Sequence, residues 1–425
     1  MNRLPMISSK RLKSILAFMS ENLSLTHSHL QPFSPASYII YAIPAKVANP
    51  MLTKIITEGT TRIEVPVPDE NSSFPPSSAA VFYNPAMKVN RDVAVAAIAC
   101  FSKNYPEYTY LDALSASGIR GLRIANEVGL DTTMSDWEGT SFELIKKNIQ
   151  LNNLTNCTAM KRNANVVMMD GSFDITDLDP FGTPAPFLDA ACYSTKRLLC
   201  ITATDTAPLC GAHKKAGIRN YSAVPLKTEY YPEMGVRILM GAVARTLAKY
   251  DKAMTPLLSY ASAHYVRLFV SVKKGIKEAD ESLKVMGFLS HCFNCGDRKW
   301  KFGLAVHLEE KCPVCGHTTS LAGPLWLGKL HEREFCEMVL GETEKREFKE
   351  GLKLIAACRD ELEIPMHYDI HKVCKSLRIT AMSTIELIIA LKEMGFQASR
   401  THFSGISFKT DASMEEIKRV VLVKS

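Results

Sequence analysis

The sequence predicts an α/β fold in which helices cover both faces of a mostly parallel sheet. Short apolar or β-branched runs alternate with amphipathic helical segments from residue 108 onward. The chain has 425 residues, enough for two or three domains, and 46% of them are hydrophobic, which suits a sizeable core. Sheets of this kind bind ligands beyond the carboxyl ends of their strands, so the polar residues that follow each strand are the candidate site residues.

The predicted elements follow one another in a regular order. Strands are predicted at residues 108–113, 131–135, 173–178, 198–204, 265–272 and 402–408. Helical segments are predicted at residues 119–128, 141–151, 185–197, 235–250, 334–359, 384–394 and 414–421. We expect one domain over residues 51–275, a cysteine-containing region over residues 276–330, and an α+β domain over residues 331–425.

The composition indicates the kinds of partner, thiol chemistry and location to expect. Lys and Arg outnumber Asp and Glu by 51 to 44, a net charge of +7 that is compatible with a polyanionic partner. Of the twelve cysteines, eight are scattered and four form two CxxC pairs, which predicts reduced thiols, no disulfide framework and a cytoplasmic location. No run of 18 apolar residues is present, so we expect no membrane span. We also expect a monomer.

Residues 1–50 differ from the rest of the chain. They contain five basic residues, one acidic residue and many serines, a composition that resembles an organellar transit peptide. The alternative is an upstream extension of the reading frame, with the true start at Met51, where enzyme-like sequence begins. We favour the second interpretation and leave this segment out of the fold prediction.

The loop after the first predicted strand has the features of a cofactor site. Its sequence, LDALSASGIRG over residues 111–121, joins strand to helix through small residues that let a ligand approach the backbone and the free N–H groups of a helix N-terminus. An acid after the second strand, Asp136, can accept both ribose hydroxyls of an adenosine. A tight turn with a solvated Asp is the alternative, but the combination favours a nucleotide-like cofactor. The candidate contacts are Asp112, Ser115, Asp136, Asn163 and Ala164.

The third predicted strand ends in Asp-Pro-Phe-Gly over residues 179–182. An exocyclic amine of a base is a poor nucleophile because its lone pair is delocalised into the ring. Asp179 and the Pro180 carbonyl can accept its hydrogens while Phe181 holds the base, so that the lone pair faces a methyl donor. A base in folded RNA must be extruded first, which suits an aromatic pocket. The alternative is an ordinary strand-end turn with a buried Phe.

A basic segment follows the next strand. Asp205 lies at the ligand end of that strand, and four basic residues follow Gly211. These are His213, Lys214, Lys215 and Arg219. Such a segment suits an RNA phosphate backbone, although a solvated charged loop would show the same composition.

From Met51 to its C-terminus the chain closely resembles the tRNA (guanine-26, N2)-dimethyltransferase family. The matching stretches are EGTTRIEVP, FYNPAMKVNRD, LDALSASGIRG, DLDPFGTPAPFLDAA and TATDTAPLCGAHKKAGIRNY. The resemblance implies a Rossmann-like class I methyltransferase domain, S-adenosylmethionine as cofactor, and a C-terminal domain that binds tRNA. It also implies cofactor contacts from Arg91, Arg120, Asp136, Asn163 and Ala164, and a catalytic acceptor in Asp179. The family usually has Asp where this chain has Asn163, but an amide can still meet an adenine edge.

Two cysteine pairs predict a zinc ribbon. Cys292 and Cys295 are separated by sixteen residues from Cys312 and Cys315, a spacing typical of four thiolate ligands around Zn²⁺. A glycine follows each pair and permits the turn that directs N–H groups at the sulfurs. Four protein ligands leave no open position, so we predict a structural metal. Flanking Arg298, Lys299, Lys301 and Lys311 would give the ribbon a basic face.

Together these observations predict a methyltransferase that dimethylates N2 of guanine 26 in tRNA. Two alternatives stay open at this point. A methyltransferase acting on the amino group of DNA adenine also uses an acid-Pro-aromatic turn. A zinc-ribbon RNA-binding protein with an inactive Rossmann core is the non-enzymatic alternative, against which the acids Asp136 and Asp179 argue.

Overall fold

A seven-stranded sheet forms the centre of the computed structural model, which describes residues 52–67, 81–262 and 264–424. The two interpretations of residues 1–50 fall outside the described residues. The strands of this sheet are β3 (Thr109–Asp112), β4 (Asp131–Asp136), β5 (Cys157–Lys161), β6 (Phe173–Leu178), β7 (Thr195–Ala203), β8 (Lys252–Ser262) and β9 (Tyr265–Lys274). Their order is β5-β4-β3-β6-β7-β9-β8. The pairs among β3 to β7 are parallel, and β9 is antiparallel to both β7 and β8.

Helices cover both faces of this sheet, as predicted. They are α1 (Lys88–Ser102), α2 (Ile119–Arg123), α3 (Gly139–Leu151), α4 (Ala164–Asp170), α5 (Leu188–Ser194), α6 (Thr206–Leu209), α7 (Lys214–Tyr221), α8 (Tyr231–Ala248) and α9 (Ile276–Lys284). Successive strand residues enter opposite cores because side chains alternate along a strand. Tyr110 packs in the core that contains Ile98 of α1, whereas Leu111 packs in the core that contains Leu239 of α8.

Two smaller sheets and a hairpin complete the described part of the chain. The hairpin pairs β1 (Thr53–Glu58) with β2 (Thr61–Pro66). The second sheet has the order β11-β10-β12 and consists of β10 (Met286–His291), β11 (Arg298–Phe302) and β12 (Ser320–Trp326). The third has the order β13-β15-β14 and consists of β13 (Tyr368–Asp369), β14 (Ala398–Arg400) and β15 (Ser407–Thr410). The remaining helices are α10 (Arg333–Lys345), α11 (Lys349–Asp360), α12 (Ile370–Leu377), α13 (Thr384–Glu393) and α14 (Met414–Lys424).

Buried charges join the C-terminal region to α8. Glu233 of α8 accepts hydrogen bonds from the backbone N–H groups of Met366 and His367, both at 2.9 Å. The ammonium group of Lys409 lies 3.3 Å from Glu233 and 2.6 Å from Glu361. Burial alone would raise the pKa of Glu233, but the neighbouring cations hold it well below its usual value. The joint therefore depends on each buried charge keeping its partners.

Several predicted elements differ from the structure. The helix predicted over residues 185–197 ends at Ser194, because Thr195 already pairs with Phe173 as the start of β7. The strand predicted over residues 402–408 is wrong before Ser407, since the N–H and ring of His402 both bond Glu361. The segment predicted over residues 334–359 is two helices, α10 and α11.

Strand β8 was not predicted. It contains Pro256, which cannot donate a ladder hydrogen bond, and a register shift follows that residue. The strand tolerates proline because it lies at the sheet edge. Among the helices that the structure describes, none combines the length and apolar character needed to cross a membrane.

Candidate active site

The candidate site lies where the strand order of the large sheet reverses. From β3 the chain continues to β4 and β5 on one side, and then returns to place β6 on the other side of β3. The ends of β3 and β6 are in register, with Asp112 opposite Asp177. The loop after β3 and the turn after β6 therefore lie side by side at the edge where such sheets bind ligands.

Close packing shapes the loop after β3. Gly118 has φ +82° at the start of α2, a conformation that favours glycine. A Cβ on Gly121 would lie 2.4 Å from Cγ of Met134, so α2 can approach β4 this closely only with glycine there. The N–H of Ser115 donates to the Ser135 carbonyl at 2.9 Å, which holds the loop against β4.

Asp136 closes the same loop from the end of β4. Its Oδ2 accepts the N–H of Ala116 and its Oδ1 accepts the N–H of Glu138, both at 2.9 Å. Each carboxylate oxygen keeps lone-pair capacity for a ligand hydroxyl. The next residue, Trp137, exposes 67% of its surface, a large apolar area beside the carboxylate. Trp137 was not predicted as a site residue.

Asn163 and Ala164 lie at the end of the neighbouring strand, β5. Asn163 is the N-cap of α4, and its side chain accepts the N–H of Asn165 at 2.9 Å. Asn163 is exposed and Ala164 is buried. Since Asp136 is in register with Lys161, these residues and Asp136 occupy the same edge of the sheet.

Arg120 connects the cofactor loop to the turn after β6. Its Nη2 donates to Asn90 Oδ1 at 2.8 Å and to Asp179 Oδ2, and its Nη1 lies 3.8 Å from Asp177 Oδ2. Among the described residues, Arg120 Nη1 and Asn90 Nδ2 are buried without a hydrogen-bond partner. Buried donors without partners are unfavourable, so this corner suits a ligand that carries an anionic acceptor.

Two buried carboxylates lie behind Arg120 in different states. Asp112 accepts the N–H of Gly121 at 3.0 Å, and burial raises its pKa to about 7 despite the charge of Arg120. Asp177 accepts two hydrogen bonds from Arg267, at 2.8 and 2.6 Å. Burial alone would raise the pKa of Asp177, but Arg267 and Arg120 hold it below its usual value. Asp177 is therefore a permanent anion that supports the guanidinium of Arg120.

The turn after β6 presents one acid and one ring to solvent. The Asp179 side chain is 23% exposed, Pro180 is buried and Phe181 is 77% exposed. Asp179 Oδ2 bonds Arg120, and no group in the described residues bonds Oδ1. The ring of Phe181 meets the edge of Phe82, with centroids 5.9 Å apart. The turn thus carries an exposed ring, itself in contact with a second ring, two residues after a carboxylate whose Oδ1 is unbonded among the described residues.

Neighbouring elements hold this turn in place. The N–H of Gly182 donates to Thr204 at 2.8 Å, and the Thr183 hydroxyl lies 2.9 Å from the hydroxyl of Tyr221. Tyr221 also donates to Asp205 at 2.6 Å. Burial raises the pKa of Asp205. The predicted basic residues are exposed on and before α7, which ends at Tyr221: His213, Lys214, Lys215 and Arg219.

Arg91 of α1 lies against the β1–β2 hairpin. Its guanidinium donates twice to Glu58, at 2.8 and 2.6 Å, and once to the Asn84 carbonyl at 3.1 Å. Arg91 therefore ties the β1–β2 hairpin to the segment that carries Phe82. Its predicted contact with the cofactor stays a prediction.

The four predicted metal ligands converge at one point. The Sγ atoms of Cys292, Cys295, Cys312 and Cys315 all lie within 4.8 Å of one another. Cys292 and Cys315 are 3.4 Å apart, and Cys295 and Cys312 are 3.6 Å apart. A tetrahedral zinc with Zn–S bonds of about 2.3 Å requires sulfurs roughly 3.8 Å apart, so this donor set fits the ion.

Comparison with known proteins decides the family. The model of the N2,N2-dimethylguanosine tRNA methyltransferase family matches residues 59–422. A tRNA (guanine(26)-N(2))-dimethyltransferase of Methanosarcina mazei is 54% identical over 387 residues, covering 88% of this chain and all of that protein. The Haloarcula marismortui protein of the same name is 42% identical and covers 85% of this chain and 98% of its own length. The chain belongs to the N2,N2-dimethylguanosine tRNA methyltransferase family.

A solved structure agrees with this assignment. Trm1 from Pyrococcus horikoshii, solved in complex with S-adenosyl-L-methionine, is 35% identical to this chain. The two structures superpose with a TM-score of 0.77. The alignment covers 86% of this chain and 99% of that one. The predicted α/β methyltransferase fold is thereby confirmed.

Part of the site in this family member was not predicted from the sequence. Asn90, Phe82 and Trp137 were not singled out, nor was the Asp177–Arg267 pair. Trp137 had a usable signal, because it directly follows a strand-end acid at the ligand edge. Arg267 had no such signal, because only the pairing of its strand, β9, with β7 brings it to Asp177.

Proposed function

We propose that this protein transfers methyl groups from S-adenosylmethionine to N2 of guanine 26 in tRNA, twice on the same nitrogen. The observation that carries the proposal is the contact of Arg120 with Asp179, which joins the predicted cofactor loop to the predicted base-binding turn. Family membership over residues 59–422 supports tRNA over the DNA alternative.

The residues at the sheet edge fit the cofactor. Asp136 offers carboxylate oxygens to the ribose, and Trp137 offers an apolar surface next to it. Arg120 Nη1 and Asn90 Nδ2 are buried donors that find no hydrogen-bond partner among the described residues, which suits a carboxylate of the amino-acid part. When bound, S-adenosylmethionine supplies an electrophilic methyl group and leaves as a neutral thioether. We keep Asp112, Ser115, Asn163 and Ala164 as further proposed contacts.

The turn after β6 would hold the base and accept the proton. Phe181, and Phe82 beside it, provide ring surfaces for an extruded guanine. Asp179 Oδ1 and the Pro180 carbonyl accept hydrogens of the N2 amine, which turns the nitrogen lone pair toward the methyl donor. As the new N–C bond forms, the N2 proton becomes acidic and passes to Asp179. Because this side chain is 23% exposed, it can release the proton to solvent.

The same residues suffice for the second transfer. After the first transfer N2 still carries one hydrogen, which Asp179 can accept in its turn. Asp177 keeps its charge throughout, because it is fully buried and paired with Arg267. The Asp177 carboxylate therefore stabilises the Arg120 guanidinium, which continues to orient Asp179 for both transfers.

The cysteine quartet is proposed to hold a structural Zn²⁺. Four thiolates at near-tetrahedral separations leave no position for a substrate or water. Asp179 and the Pro180 carbonyl are the proposed acceptors of the N2 hydrogens, so the reaction assigns no step to the ion. Its proposed role is to stabilise the ribbon. We further propose that residues 331–425 contribute to tRNA binding, and keep the monomeric state and cytoplasmic location as predictions.

Nucleoside analysis of modified tRNA tests the proposed function. The protein is incubated with S-adenosylmethionine and an unmodified tRNA transcript, and the digested product is analysed by mass spectrometry. We expect N2-methylguanosine to appear first and N2,N2-dimethylguanosine to replace it. A matched transcript with adenine at position 26 should receive no methyl group. Equal methylation of both transcripts, or methylation of duplex DNA instead, would overturn the proposal.

A further inference from the structure

One edge of the ribbon sheet carries an exposed surface that the active site does not use. We call it the ribbon edge and define it as Lys299, Trp300, Lys301 and Phe302, consecutive residues of β11. All four side chains are exposed, with Trp300 at 36% and Phe302 at 51%. Within the described residues β11 pairs only with β10, so no strand of that part of the chain lies along its outer side.

The ribbon edge differs from an ordinary exposed edge strand in its unpaired positive charge. Lys299 and Lys301 point to one face of the strand, and Trp300 and Phe302 to the other, because strand side chains alternate. No acid in the described part of the chain forms an ion pair with either lysine. An RNA strand that runs along this edge would meet the aromatic rings on one face and the unpaired cations on the other, with bases on the rings and phosphates on the ammonium groups.

Arg298, by contrast, does not belong to this surface. The prediction that Arg298 belongs to the basic face of the ribbon is wrong. Its guanidinium is buried between the rings of Tyr230 and Tyr368, 4.7 and 3.5 Å from their centroids, and donates to the His367 carbonyl at 2.9 Å. The first residue of β11 thus anchors the ribbon, which gives the next four residues a fixed position.

Backbone pairing links the ribbon edge to the base-binding turn. Tyr221, which contacts Thr183 beside Phe181, ends α7. Three residues later, Val224 exchanges two backbone hydrogen bonds with Gly323 of β12, at 2.8 and 3.0 Å. From β12 the sheet continues through β10 to β11, two strand spacings of about 5 Å each. The ribbon sheet is therefore joined to the segment that supports the base-binding turn, and an extended tRNA can contact both.

We propose that the ribbon edge binds the tRNA next to guanine 26, with Lys299 and Lys301 on phosphates and Trp300 stacked on an unpaired base. This inference rests on the proposed function and assigns part of its substrate recognition to the ribbon. The surface contributes to holding the tRNA and takes no part in the chemistry.

Two sets of variants separate the charge from the ring. The double variant Lys299→Ala/Lys301→Ala should raise the tRNA Kd on the order of tenfold and lower the slope of log Kd against log salt by about 2, one unit per lost phosphate contact. Trp300→Ala should raise the Kd roughly tenfold, the scale of one lost stacking contact, and leave that slope unchanged. The kcat at saturating tRNA should stay within about twofold of the unchanged protein in both. Lys299→Arg/Lys301→Arg should keep wild-type affinity.

The matched control is Lys273→Ala/Lys274→Ala. It also removes two exposed lysines from one strand, of which Lys273 is paired with Glu278 at 2.7 Å, and β9 ends at the edge of the large sheet opposite the candidate site, because it is antiparallel to β7. Its tRNA affinity should match that of the unchanged protein. An equal loss in this control would show that only net charge matters and would overturn the proposal. Zinc content, measured in each variant, confirms an intact ribbon.

The outcomes distinguish this inference from the proposed function. If the unchanged protein dimethylates guanine 26 and the ribbon-edge variants bind tRNA equally well, the inference fails and the function stands. If the unchanged protein does not modify guanine 26, the proposed function itself fails. A change in oligomeric state of Trp300→Ala, measured by light scattering, with unaltered tRNA affinity would assign the surface to a second copy of the chain and overturn the proposal.

Discussion

Replacing Asp179 with asparagine tests the assignment of the proton acceptor. Asparagine keeps the size of the side chain and one carbonyl oxygen, but it cannot take up the N2 proton at neutral pH. We expect kcat to fall between about 10²- and 10⁴-fold, the usual contribution of a general base, which corresponds to roughly 3–5 kcal/mol of barrier. The fall should be incomplete, since the Pro180 carbonyl still orients the amine.

The structure also limits what else this substitution changes. Arg120 loses one partner but keeps Asn90 at 2.8 Å and Asp177 at 3.8 Å from its guanidinium. Affinity for S-adenosylmethionine, measured by calorimetry, should therefore change by less than about threefold, while single-turnover methylation of tRNA slows. Asp174→Asn is the control, because Asp174 lies at the other end of β6 and bonds Thr109. A variant at position 179 that keeps more than a tenth of the rate, or loses cofactor affinity in proportion to its rate, would refute the assignment.

Three further substitutions test the packing, the electrostatics and the metal site. Gly121→Ala should lower the free energy of unfolding by about 1–3 kcal/mol in denaturant titrations, because its Cβ would lie 2.4 Å from Met134. The control is Gly341→Ala, in open space within α10, which should be neutral or stabilising by up to about 1 kcal/mol. Asp112 has a pKa of about 7 in the folded protein against 3.8 ordinarily, so the folded state binds an extra proton between these values and loses stability as pH rises from about 4 to 7. The melting temperature of Asp112→Asn relative to that of the unchanged protein should therefore be higher at pH 8 than at pH 5. A difference in melting temperature that does not change with pH would contradict the assigned pKa. Cys312→Ser should lose a bound zinc ion, about one per chain by elemental analysis, and unfold at lower temperature; unchanged zinc content would exclude the quartet as the site.

Local sequence was sufficient for much of the site because the relevant residues are close along the chain to the ends of strands. The loop with Gly118, the acid Asp136 and the turn with Asp179 each lie at or directly after the end of a strand, and parallel strands bring such positions to one edge. The two cysteine pairs carry their own spacing, which is independent of the rest of the fold. The family resemblance likewise depends on contiguous motifs.

The tertiary structure decided what lies between these motifs. The pairing of Asp177 with Arg267 joins residues 90 positions apart, and it depends on an antiparallel strand that local patterns do not reveal. Arg298 looked like a surface cation but is buried between two tyrosines from other elements. The sequence thus determined which residues meet at the ends of consecutive strands, whereas pairing between distant strands decided which charges are buried, because burial depends on neighbours that only the folded chain supplies.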